Sequence, residues 1–158
     1  MNIVVICVGK LKERYWRDAA AEYEKRLTRY GKIEIIEIPD LPEPAKPSIA
    51  EEQRNRDSEG VAILKRIKSD DLVIALMIEG NQMDSPALAR MLQSCYDTGR
   101  RVVFVIGGSL GLAQEVTARA DKRLSFSPLT FPHQLARVML LEQIYRACKI
   151  EAGERYHK

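Results

Sequence analysis

Three short, uninterrupted apolar runs, at positions 3–8, 72–78 and 102–106, constrain the fold of this chain more than any other feature. Each is rich in valine and isoleucine, and each is far shorter than the roughly 20 residues a membrane-spanning helix needs. A run without polar alternation is buried on both faces, the habit of a parallel strand covered by helices above and below. The segments between these runs read as helices. One spans 14–30 and is closed by Gly31; another spans 49–69 and is polar in its first half. Ser85 with Pro86 forms an N-cap and first-turn pair for a helix that Gly99 closes. A short helix runs to about Ala120, and Pro132 opens a last helix that runs to about Ile150.

Residues 33–38 carry Glu34 and Glu37 among isoleucines and suit a strand nearer the sheet edge. Residues 122–127 read as a weaker strand. Pro39, Pro42, Pro44 and Pro47 mark a loop between the second strand and the helix after it. Strands alternating with helices predict one α/β domain with a mostly parallel sheet flanked by helices. Ligands bind such sheets at the carboxyl ends of the strands, here residues 78–80, 107–111 and 126–131.

The formal charge of +3 says little by itself, but its distribution is uneven. Residues 10–32 hold eight basic side chains against four acidic ones, a solvated helix face or a surface for an acidic partner such as RNA. Cys7, Cys95 and Cys148 lie far apart within apolar patterns, as reduced thiols filling a core do. With two histidines and no paired Cys or His spacing, no metal site is expected. The chain opens directly on a strand-like run, without a basic segment or signal core, and no run is long enough to enter a membrane, so a cytoplasmic location is expected.

The glycines at 107, 108 and 111 follow a strand and precede a helix. Their spacing matches neither the dinucleotide fingerprint nor a P-loop, so they are either a tight turn or a small-molecule site. On the last helix, Val138, Leu140, Leu141, Ile144, Tyr145, Ala147 and Cys148 cover about half the circumference at roughly 100° per residue. Leu135 and Met139 lie on the other half, a pattern that fits a subunit interface or a deeper single core. Arg137 falls in the apolar half, where an unpaired charge is costly; it is paired within the chain or reaches a ligand or partner. In the polar tail, Tyr156 can stack on a base, Arg155 and Lys158 can meet phosphate, and His157 suits proton transfer near neutral pH, unless the tail is simply frayed. His133, in the first turn of a helix, suits loop orientation better than catalysis.

Phe104-Val-Ile-Gly-Gly-Ser-Leu-Gly111, Leu124-Ser-Phe-Ser-Pro-Leu-Thr-Phe-Pro-His-Gln-Leu-Ala-Arg137, Glu142-Gln-Ile-Tyr-Arg146 and Tyr156-His-Lys158 stand in an order and spacing that together are highly specific. Over its whole length the chain resembles the bacterial ribosomal RNA large subunit methyltransferase H family, a minimal branch of the SPOUT methyltransferases. The resemblance implies a C-terminal trefoil knot and a homodimer. It implies methyl transfer from S-adenosylmethionine to N3 of a pseudouridine in 23S rRNA on the assembled ribosome, without a metal. By motif position, Leu76, Gly107 and Gly108 would hold the cofactor. So would the loop of Phe126, Ser127, Pro128, Leu129, Thr130 and Phe131. Tyr156 and His157 would complete the catalytic site across the dimer. On the chemistry of methyl transfer, apart from motif position, Arg137, Arg155 and Lys158 are candidates for phosphate contact or for stabilising the developing anion. Arg155 departs from the family, in which Pro or a small residue often precedes Tyr-His; the tail loses the stiffness of a fixed φ.

The N3 imide must lose its proton before it can attack, so His157 is expected as base or orienter and Tyr156 as the residue that positions the ring. Two other classes stay open on sequence. A nucleotide-binding enzyme would use residues 107–111 for phosphate, although no lysine follows them as in a P-loop. A ribosome-binding module would carry no chemistry.

Overall fold

The computed structural model describes residues 1–42 and 45–156. Its strands are β1 (Asn2–Val8), β2 (Lys32–Ile38), β3 (Leu72–Asn81), β4 (Val102–Ile106) and β5 (Lys122–Leu124). Its helices are α1 (Arg14–Leu27), α2 (Ile49–Leu64), α3 (Ser85–Asp97), α4 (Gln114–Arg119) and α5 (His133–Glu151). The strands form one sheet in the order β2-β1-β4-β3-β5, every neighbouring pair parallel. The chain is therefore α/β as its patterning predicts, with β2 at an edge.

The period of two along β1 divides the core into two layers. Ile3, Val5 and Cys7 join Ile74 and Phe104 in a cluster that continues through Leu88 of α3 and Leu140, Leu141 and Ile144 of α5. Val4, Ile6 and Val8 face the other way, toward Ile63 of α2 and Val116 of α4. Helix α5 packs against both α1 and α3 over the first layer. Its apolar residues on several sides are thus largely used within one chain, although Leu135, Val138 and Met139 stay partly exposed. Cys7, Cys95 and Cys148 are free and buried.

Several boundaries move. Helix α1 ends at Leu27, because Tyr30 N donates to the Leu27 carbonyl in a turn that leads to Gly31. Gly31 has φ +141°, and a Cβ there would lie 2.4 Å from the Met1 carbonyl oxygen. Helix α2 ends at Leu64, five residues before the expected 69. The N-cap of α3 is Asp84, whose Oδ1 accepts from Ala87 N at 2.7 Å; Ser85 instead donates to Gln143 Oε1 at 2.7 Å. β5 is only three residues long. β3 is longer than predicted but fully buried only as far as Ala75, and Ile78 and Glu79 are exposed.

The far end of β3 makes an unusual contact. Leu124 of β5 pairs with Leu76 and again with Asn81, so the β3 chain arches over the end of β5 between the two pairings. The arch closes tightly. A Cβ on Gly80 would lie 2.7 Å from the Leu124 carbonyl carbon and 2.8 Å from that of Arg123, so only glycine fits. Ser125 N then donates to the Asn81 carbonyl at 3.0 Å, which sets the direction in which the chain leaves β5.

At the amino edge of the sheet, Asp71 is 1% exposed and accepts from Arg101 Nε at 2.7 Å and Arg101 Nη2 at 2.5 Å. It also accepts from Lys68 N at 2.6 Å. Burial raises the Asp71 pKa, but the Arg101 fork and the Lys68 amide outweigh it and hold the carboxyl below its ordinary value. Asp71→Asn leaves the Arg101 charge without its partner and is expected to cost on the order of 3 kcal/mol in chemical denaturation. Because the folded pKa is depressed, the contribution is complete above the unfolded carboxylate pKa and fades as pH falls through the folded value. The variant should therefore lose less stability than the wild type as the medium is acidified.

Candidate active site

The carboxyl ends of β3, β4 and β5 surround a cleft of about 780 Å³. Its floor is the turn after β4, where Gly111 N donates to the Gly108 carbonyl at 3.1 Å and Gly111 has φ +75°. Glycine is sterically required at 107, and a side chain at 108 would be crowded. A Cβ on Gly107 would lie 2.9 Å from the Gly111 backbone, and one on Gly108 would lie 3.0 Å from Val8 Cγ1. Without those side chains the backbone itself forms the wall. The opposite wall is the segment between β5 and α5. Ser125 Oγ donates to the Ser127 carbonyl at 3.0 Å, and Ser127 Oγ accepts from Leu129 N at 3.1 Å, so local hydrogen bonds shape this loop.

Of the residues the sequence singles out for a ligand, Leu76, Gly107, Gly108, Phe126, Ser127, Leu129, Thr130 and Phe131 line this one cleft. Pro128 lies in the same loop but does not line it. Ile78 and Glu79 line it as well, and Glu79 is the one acid among the described residues that does. The sequence names both within a strand end at which ligands bind, but reads Ile78 as buried. Their exposure is legible only once β3 is seen to outrun the core. His133 lines the cleft from the first turn of α5, so its surroundings matter beyond orienting a loop.

The wall behind His133 is a charged cluster. Arg137 is 3% exposed; its Nη1 donates to Glu37 Oε1 at 2.6 Å and its Nη2 to the Gly9 carbonyl at 2.8 Å. It therefore has no surface from which to meet a phosphate, and the expected RNA contact gives way to an internal tie between β1, β2 and α5. Cys7 beside it is pushed up to about 11, chiefly by burial, and stays a thiol. Burial also lowers the His133 pKa; Asp40 opposes this, and Arg137 and Lys12 reinforce it.

Tyr156 is held away from the cleft of its own chain and does not line it. Its OH donates to Glu142 Oε1 at 3.2 Å, its ring meets the Tyr145 ring at 5.1 Å, and Arg146 lies 4.7 Å from its centroid. Burial and the Glu142 carboxylate raise the Tyr156 pKa, so the phenol keeps its proton at neutral pH. Arg155 is exposed, and His157 and Lys158 lie outside the described residues.

A family model described as "Predicted SPOUT methyltransferase" matches residues 1–157. The chain belongs to the SPOUT methyltransferase family. Curated relatives include "Ribosomal RNA large subunit methyltransferase H 1" of Clostridium perfringens, 53% identical, and "Ribosomal RNA large subunit methyltransferase H" of Alkaliphilus oremlandii, 54% identical. Each alignment covers 100% of both chains. Among solved structures, a methylase family protein from Neisseria gonorrhoeae superposes with a TM-score of 0.57 at 15% identity, covering 91% of this chain and 81% of that one. At that identity the likeness concerns the fold alone. In this SPOUT methyltransferase the cleft has the size and largely apolar lining of a small-molecule site, for which about 300–1,000 Å³ is usual.

Two measurements check the cluster behind the cleft. Arg137→Lys cannot reach Glu37 and the Gly9 carbonyl with one planar fork, and is expected to cost on the order of 3 kcal/mol in denaturant unfolding. An NMR titration of the His133 ring should give a midpoint below the ordinary imidazole value. A depressed folded pKa means that His133 loses stability for the fold as pH drops below about 6.5, where the unfolded imidazole takes up its proton first.

Proposed function

We propose that this SPOUT methyltransferase uses S-adenosylmethionine to methylate N3 of a pseudouridine in 23S rRNA on the assembled ribosome, as a cytoplasmic homodimer. One observation carries the reading. A glycine-floored cleft at the carboxyl edge gathers the predicted ligand residues, in a chain at least half identical throughout to proteins named for methylating large-subunit ribosomal RNA.

The residues present fit the donor. The glycine turn gives a floor of backbone, Leu76, Phe126 and Phe131 give apolar walls, and Glu79 offers a carboxylate to a cationic ligand. When bound, S-adenosylmethionine supplies an activated methyl group on a sulfonium leaving group. The protein's own task is to hold the acceptor ring in line, exclude water and take the imide proton. With its phenol protonated, Tyr156 serves as a positioning residue, and His157 is the group suited to the proton.

The homodimer answers a problem of distance, since Tyr156 does not reach the cleft of its own chain. A hollow of about 460 Å³ beside Phe126, lined by Met83, Val138 and Met139 among others, offers an apolar seat for a second copy. A tail from that copy then supplies Tyr156, His157, Arg155 and Lys158 to this cleft.

The test is transfer of labelled methyl from S-adenosylmethionine to ribosomes from cells lacking the enzyme, with naked 23S rRNA alongside and the product mapped by mass spectrometry. Incorporation at one pseudouridine, on ribosomes only, is expected. Gly107→Ala should abolish donor binding in calorimetry, whereas His157→Ala should lower turnover far more than donor affinity. Mixing these two inactive variants should restore part of the activity through heterodimers that keep one complete site. Failure of the wild type to bind the donor, or methylation of a different nucleotide, would overturn the reading.

A further inference from the structure

The excess of basic residues near the amino terminus acquires a position in the fold. Because the sheet is parallel, the carboxyl end of β1 opens on the same edge as the cleft. The two adjoin: a Cβ on Gly9 would lie 3.6 Å from His133 Nε2, and His133 lines the cleft. Residues 10–15 therefore continue outward from the cleft wall.

This stretch presents Lys10, Lys12, Arg14 and Tyr15 to solvent, Tyr15 with 63% exposure, together with one acid, Glu13. Its backbone is held in place. Leu11 is buried, and the Arg17 guanidinium donates to the Leu11 carbonyl at 3.1 Å and also to the Lys12 carbonyl. Among the described residues neither Lys10 nor Lys12 has an acidic partner. Arg14 pairs with Asp18 at 3.4 Å with both side chains largely exposed, a contact that is cheap to exchange. The Tyr15 ring tilts against Trp16 with centroids 5.0 Å apart and remains mostly in water.

A fixed backbone that carries three cations in a row with one exposed aromatic ring suits single-stranded RNA, which offers phosphates to the cations and unstacked bases to the ring. We propose that Lys10, Lys12, Arg14 and Tyr15 form a docking strip for single-stranded RNA flanking the target nucleotide, the cations meeting phosphates and Tyr15 stacking on a base. The proposal rests on the reading of the enzyme as an rRNA methyltransferase and assigns part of its substrate recognition.

The experiment measures methyl transfer to ribosomes against ribosome concentration and salt for the wild type, Lys10→Gln with Lys12→Gln, Tyr15→Ala and Tyr15→Phe. Lys122→Gln, at the opposite edge of the sheet, is the control. The double neutralisation should raise KM for ribosomes and flatten its log–log salt dependence by about 0.7 per cation removed. Tyr15→Ala should raise KM roughly tenfold or more, and Tyr15→Phe, which keeps the stacking face, should restore it. Turnover at saturating ribosomes and donor affinity should stay at wild-type values, and Lys122→Gln should change nothing. Wild-type KM and salt slope in the strip variants would overturn the strip while leaving the enzyme's function intact. A wild type that binds the donor but methylates no rRNA would overturn the functional reading and the strip together. A photo-crosslinker at position 15 should capture rRNA; capture of a ribosomal protein instead would overturn the assignment to RNA.

Discussion

The cleft depends on the way β3 closes around the end of β5. Leu124 is paired from two sides, by Leu76 and by Asn81, and the arch between them is closed so tightly that Gly80 has no room for a Cβ. This closure decides where the chain goes next. Ser125 is tied to Asn81, and the segment from there to Pro132 is laid against the glycine turn after β4. A slip in either pairing would separate the two walls. The ligand cavity is thus a by-product of a backbone constraint, and side chains only finish its surface.

Arg137 extends that constraint across the sheet. Its fork joins Glu37 near the end of β2 to the Gly9 carbonyl just after β1, so α5 is fixed to both strands by one guanidinium. Burying that charge is costly, and its Nε has no hydrogen-bond partner among the described residues. The compensation is positional. Gly9, His133 and Asp40 come together where the cleft wall meets the basic stretch after β1. The Asp71–Arg101 pair does corresponding work at the other edge, where no ligand residue lies.

Much of this was legible in the sequence, for reasons that also mark the limits. The apolar runs announce themselves because burial on both faces removes alternation, and all three became central strands. Ile78 misleads because an apolar residue lining a cleft reads like one lining a core. Ser85 misleads because Asp84, one position earlier, competes for the same cap and wins it. Arg137 could be seen to need a partner, but the choice between Glu37 and a phosphate is made by tertiary packing that brings together residues 100 positions apart. The apolar sides of α5 suggested a second chain because periodicity reports that a face is covered without reporting what covers it. Here α1, α3 and the sheet cover most of it. The tail gave no local signal of its contact with Glu142 and Tyr145, since that contact depends on the chain turning back along α5.

The strand order has a bearing on how the molecule comes into being. β4 lies between β1 and β3 in the sheet but follows both in the chain. Until residue 106 has been synthesised, β1 with β2 and β3 with its helix have no hydrogen-bonded connection, and each exposes an apolar edge. A nascent chain of this protein therefore has no continuous sheet for the first two thirds of its synthesis. It becomes one sheet only when a five-residue segment fills the gap between them.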